Sequence, residues 1–211
     1  MMVTNHLYIK QCTLNWEGCQ VVFLGDIAEI VGGKNGYRAR MEGQQVLYTK
    51  ADFDDDYYHM KLSADSRTII YYQTPPASED SALPSVRAAL LSETNRGKVI
   101  YQAFAEIRLV REDVHPLYLC YLLNCSQAVE RQRQMLNQGS VITRMFTGIL
   151  KDMQIELPSL DTQAQIGTVY ATAVYQAYLE TQQARHTLQG VISLLRRLEP
   201  DGSEKQEVLT K

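Results

Sequence analysis

The sequence predicts a mixed α/β (α+β) globular body followed by one long C-terminal helix. Three observations predict it. Short β-branched or aromatic runs are scattered through the first 158 residues, a stretch with apolar residues at helical spacing follows Pro116, and the period changes for good after Pro158. With 211 residues, the chain can bury one good core with an appended element but hardly two full domains. The expected division is a body over 1–158, a helix over 159–198 and a disordered tail over 199–211.

Within the body, Val46-Leu47-Tyr48, Thr68 to Tyr72, Lys98 to Phe104 and Met153 to Leu157 have the composition of strands. Pro116 suits a first helical turn, and Leu119, Leu122, Leu123 and Val129 carry a helix on to about Met135. Thr74 to Ser81, with two prolines and several small polar residues, reads as a loop. An extended segment stopped by Pro158, with a polar cap at Ser159 or Asp161, then opens the long helix.

Along that helix Ile166, Tyr170, Ala173, Ala177, Glu180, Ala184, Leu188, Val191, Leu195 and Leu198 recur at steps of three and four, a stripe close to 3.5 residues per turn. At 1.5 Å per residue it would reach roughly 57 Å, too long for a small body to bury alone. The stripe therefore needs a partner. Its alanines permit close helix approach, and Glu180 interrupts it at a position that can set register. The competing expectation is a helix that folds back on its own domain.

Composition excludes several classes. No apolar run approaches the eighteen or so residues needed to cross a bilayer, and the start Met1-Met2-Val3-Thr4-Asn5-His6 lacks the basic and apolar regions of a signal peptide, so the expectation is a cytoplasmic protein without membrane contact. Cys12, Cys19, Cys120 and Cys125 are too few to staple the chain, and their spacings do not match common zinc pairs. The net charge of −3 argues against indiscriminate nucleic-acid binding. Its distribution is uneven, however. Setting aside Asp52, Asp54, Asp55, Asp56 and the tail's Glu199, Asp201, Glu204, Glu207, Lys205 and Lys211 leaves 16 acids against 19 bases.

The search for catalysis finds little. Thr74-Pro75-Pro76-Ala77 lacks both the amide or acid and the aromatic ring of an adenine methyltransferase motif. No lysine follows an acid at a two-residue spacing, Gly97-Lys98 lacks the upstream glycine of a phosphate loop, and Gly32-Gly33-Lys34-Asn35-Gly36 is a turn rather than a dinucleotide fingerprint. His59 and His115 stand without an obvious serine or cysteine partner in the sequence. The acids around Asp54 could hold a divalent cation, but with Phe53, Tyr57 and Tyr58 among them they read better as a solvated loop.

Two motifs carry a resemblance. Val22-Phe23-Leu24-Gly25-Asp26-Ile27-Ala28-Glu29-Ile30-Val31-Gly32-Gly33-Lys34 is an apolar strand, a Leu-Gly-Asp-Ile step and then glycine. Some 130 residues on, Ile155, Leu157, Pro158, Leu160, Gln163 and Ile166 fit a second pattern, from which Glu156 departs where proline is usual. Together they resemble the start of a target recognition domain, and its boundary with the spacer helix, in the DNA specificity (S) subunits of type I restriction-modification systems. Full-length members have two recognition domains and two spacer helices, so this chain resembles a half-length form.

The resemblance implies a non-catalytic scaffold with no cofactor of its own. It implies double-stranded DNA and methyltransferase subunits, which use S-adenosylmethionine on adenine, as partners, and it allows a restriction (motor-nuclease) subunit. Two copies pairing through their helices would form a homodimer that reads a split inverted site. The stripe residues Ile166, Tyr170, Ala173, Ala177, Ala184, Leu188, Val191, Leu195 and Leu198 are the expected interface.

Base reading requires Arg, Asn or Gln at base edges, and anchoring requires cations and hydroxyls at phosphates. Two stretches are dense in these groups: Lys34, Asn35, Tyr37, Arg38 and Arg40 after the opening motif, and Gln138, Ser140, Thr143 and Arg144 before the closing strand. Arg67, Arg87, Arg96 and Lys98 are weaker candidates. Two other classes compete with this reading: a stand-alone DNA-binding regulator or decoy, and a metal-dependent hydrolase built on the Asp54 cluster.

Overall fold

The computed structural model describes residues 19–34, 46–62, 66–73, 86–137 and 146–198. The opening motif forms strand β1 (Gln20–Phe23), the single turn α1 (Leu24–Ile27) and strand β2 (Ala28–Gly32). Leu24 and Ile27 are fully buried, while Gly25 lets helix α5 (Phe146–Lys151) come close: a Cβ there would stand 3.1 Å from the Lys151 carbonyl oxygen. The Leu-Gly-Asp-Ile step is thus a packing solution, two apolar anchors around a point of contact.

The closing strand β6 (Gln154–Leu157) pairs antiparallel with β1, Val22 opposite Ile155. The two ends of the body are thereby hydrogen-bonded to each other. A second sheet, antiparallel in the order β2-β5-β3-β4, adds β3 (Thr68–Gln73), β4 (Val86–Leu90) and β5 (Phe104–Leu109). Its register lines up Ile30, Ile107, Ile69 and Leu90 on one face, which packs on helix α3 (Pro116–Cys125) in the main core. Part of the other face, Ile70, Ala89 and Phe104, lies under helix α2 (Lys50–Tyr58) with Tyr48 and Phe53.

Three sequence expectations are corrected, and one strand was not anticipated. The acidic stretch is not a loop but α2, opened by a reciprocal capping box in which Thr49 and Asp52 bond each other's backbone N–H. Val46 to Tyr48 and Lys98 to Tyr101 form single bridges, Leu47 to Val99 and Lys34 to Tyr101, and the strand proper begins at Phe104. Strand β4 was unforeseen because alanine is a poor strand former; Ala88 and Ala89 are wholly buried, leaving no room for anything larger. The helix expected from Pro116 to Met135 is two, α3 and α4 (Gln127–Asn137), broken at Ser126, whose extended backbone ends the first while its hydroxyl receives the Val129 N–H of the second.

Helix α6 (Leu160–Leu198) runs for 39 residues. Ser159 is its cap, accepting from the Thr162 N–H at 3.3 Å. The buried Gln163 holds the first turn to the body: it accepts from the His115 N–H at 2.9 Å and donates to the Asp113 and Pro158 carbonyls at 3.0 and 2.8 Å. One turn on, a Cβ at Gly167 would lie 2.6 Å from the Tyr118 nitrogen, so glycine sets the crossing of α6 over α3. Ala171 continues this contact, and Tyr178 stacks on Tyr58 of α2 with centroids 4.7 Å apart. Residues 183–198 are all exposed. The tail 199–211, expected to be disordered, lies outside the described residues.

Candidate nucleic-acid interface

The face of β2 and β5 that α2 leaves uncovered is the floor of a groove of about 490 Å³. Glu106 and Arg108 project from β5 and Val31 from β2, with Ser66, Arg67 and Thr68 on one side and Arg96, Gly97, Lys98, Val99 and Ile100 on the other. Gly33 and Lys34 complete the rim. Five cations and one acid line it. Gly33 is required here, because its N–H bonds the Phe104 carbonyl at 2.9 Å and a Cβ would sit 2.1 Å from the Tyr101 oxygen.

Most of these cations are fixed in place. Lys98 donates to Asp52 at 2.8 Å and Asn95 at 2.6 Å, Arg96 pairs with Glu93 at 2.9 Å, and Arg108 pairs with Glu106 at 2.7 Å. Arg67 donates to the Leu109 and Arg111 carbonyls, so its guanidinium is oriented without loss of charge. Burial works to raise the Asp52 pKa, but the Lys98 ammonium and the Thr49 groups outweigh it and hold the carboxyl below its ordinary range. Beneath the rim, the buried Asp56 accepts from Tyr48 Oη and from Asn95 Nδ2, each at 2.8 Å, and so joins α2 to the turn that presents Arg96 and Lys98. Gly97 occupies that turn with φ +83°.

The same contacts remove the basis for a metal site at Asp54. Asp52 serves Thr49 and Lys98, Asp54 pairs with Lys50, Asp55 with His59, and Asp56 faces inward. The four carboxylates face different partners rather than one point. Among the described residues no group of three or more potential metal ligands converges.

Of the predicted DNA-contacting residues, Lys34 lies on the groove; Asn35, Tyr37, Arg38, Arg40, Gln138, Ser140, Thr143 and Arg144 lie outside the described residues. The residues that border both stretches are nonetheless close together: a Cβ at Gly32 would be 3.6 Å from Thr147 Cγ2. Lys34, which opens the first stretch, and Val46, beyond its end, both bond the 99–100 backbone. Of the weaker candidates, Arg67, Arg96 and Lys98 meet in the groove, whereas Arg87 sits over the Tyr57 ring at 5.1 Å. Arg108 was missed, although the alternation Glu106-Ile107-Arg108 signals two charged side chains on one strand face.

No protein-family model and no curated protein matches the chain, but solved structures do. A chain from work on complex assembly and conformational transition of the type I R-M system superposes with a TM-score of 0.50 at 20% identity, over 85% of this chain and 44% of that one. The HsdS subunit of Thermoanaerobacter tengcongensis gives 0.44 and 19%, over 80% and 40% of the two chains, and the S subunit from M. genitalium gives 0.47 and 11%, over 90% and 49%. The fold is shared with that chain from the work on the type I R-M system, at 20% identity. The chain spans less than half the length of each of these solved chains.

The long helix has two unlike halves. Ile166 and Tyr170, expected at a partner interface, are half-buried and pack with Val174 against the body's own core, because the first turns of α6 are drawn down by Gln163 and Gly167. Ala173, Ala177, Ala184, Leu188, Val191, Leu195 and Leu198 are exposed, as are Ile192 and Leu194 beside them. No helix among the described residues is long and apolar enough to cross a membrane.

Proposed function

We propose that the chain is a DNA sequence-recognition subunit of a type I restriction-modification system in half-length form, non-catalytic itself. Two copies pair through α6 to read inverted half-sites and dock methyltransferase subunits. The observation that carries this reading is the division of α6: one half anchored in the body, the other presenting an apolar surface that nothing among the described residues covers. Six apolar residues of residues 183–198, from Leu188 to Leu198, are between 39% and 79% exposed. That is costly for a monomer and suited to a helical partner. The fold shared with a chain of the type I R-M system supports the reading, as does the clustering of cations on one face of the body. Lys34, Asn35, Tyr37, Arg38, Arg40, Gln138, Ser140, Thr143 and Arg144 remain the proposed DNA-contacting residues.

Selection from a pool of randomised duplexes, using the full chain with a co-expressed methyltransferase, tests this. The expected product is a pair of inverted half-sites around an unread gap, since identical heads must read identical sequences. Enrichment of one continuous asymmetric motif would contradict the two-copy arrangement, and no enrichment would contradict sequence reading altogether.

A further inference from the structure

The groove over β2 and β5 has chemistry unlike that of a base-reading surface. Reading a base needs a donor edge free to form a planar pair, and Arg67 has already engaged its own with two backbone carbonyls. What remains is charge held in position. Lys98, Arg96 and Arg108 share theirs with Asp52, Glu93 and Glu106, with Glu29 a further 3.8 Å neighbour of Arg108, whereas Lys34 and Arg67 have no carboxylate partner among the described residues. Arg96 and Arg108 keep about half of their side-chain surface in solvent, at 48% and 49%.

We propose that this groove seats the sugar–phosphate backbone of a DNA duplex, with Lys34, Arg67, Arg96, Lys98 and Arg108 as its cationic lining. The inference rests on the DNA-recognition reading and deepens it by assigning the site that supplies sequence-independent affinity. Ion pairs exposed to this extent are weak and exchange readily for a phosphate, whose oxygens accept from several donors at once. Glu106 opposes the ligand and is restrained by Arg108, so the groove binds moderately rather than tightly, as befits a chain with a net charge of −3.

The test titrates the full chain with fluorescently labelled duplexes of two unrelated sequences across a salt series. Lys34→Ala and Arg108→Gln are expected to weaken binding several-fold on both duplexes alike, each lowering the salt slope by about one. Glu106→Gln is expected to strengthen binding, a gain that a damaged fold cannot imitate. Arg87→Ala, outside the groove, should bind as the parent chain does. Unchanged affinity and slope in the groove variants, or a loss confined to one sequence, overturns the phosphate assignment while leaving DNA recognition standing. Failure of the unaltered chain to bind either duplex at low salt overturns both.

Discussion

One buried amide anchors the first turn of the long helix to the body. Gln163 fills its acceptor with the His115 N–H and both its donors with the Asp113 and Pro158 carbonyls, all at a site 1% exposed. Gln163→Ala leaves those backbone groups buried without partners and should cost about 3 kcal/mol in urea denaturation. A loss below about 0.5 kcal/mol would show that the contact is incidental. The motif glutamine that the sequence displayed is therefore structural, a role that spacing alone could not distinguish from ligand contact.

His115 adds a pH dependence. Burial pushes its imidazole below the ordinary value of 6.5, and its Nδ1 has no partner among the described residues. The unfolded chain protonates first as pH falls, so this stabilisation is present above about 6.5 and is lost on acidification toward the folded pKa. Stability measured against pH should decline on the acid side of that value, and His115→Gln should flatten this part of the curve.

At the scale of elements, legibility followed the strength of local signals. The start of α6 could be read because Pro158 and Ser159 punctuate it, and its length because no glycine–proline break follows. Strand β4 could not, since Val86-Arg87-Ala88-Ala89-Leu90 is a strand only through its pairing with β3 and the close approach of α3, whose Asn124 bonds both the N–H and the carbonyl of Ala88. Helix α2 was a missed signal rather than an absent one: Thr49 and Asp52 stand at capping-box spacing, obscured by four aspartates that suggested a loop. The groove was half visible, since Lys34, Arg67, Arg96 and Lys98 were named as separate candidates. The topology that joins them is long-range and has no sequence period.

Gly167 gives the sharpest test at this scale. Gly→Ala inside an isolated helix stabilises by about 1 kcal/mol, yet here the added methyl meets the α3 backbone at 2.6 Å. Gly167→Ala should therefore destabilise, by about 2 kcal/mol or more, and loosen the α3–α6 contact. Faster amide exchange in α3 with α6 still helical by circular dichroism is the expected signature. A stabilised variant would mean that the α3–α6 crossing has room for a methyl group.

For the whole molecule, the arrangement is an anchored rod. The anchored half of α6 positions the body, and the exposed half extends about 24 Å beyond it at 1.5 Å per residue. Leu188→Glu with Leu195→Glu should leave the unfolding of the body nearly unchanged, because neither side chain is buried against it. The same pair should abolish self-association by placing charge in an apolar seam. Light scattering on the size-fractionated full chain, alone and with a methyltransferase subunit, tests the central claim most directly: the account predicts a mass of two chains or a mixed assembly, reduced to one chain by the paired glutamates, whereas one chain under every condition would contradict it.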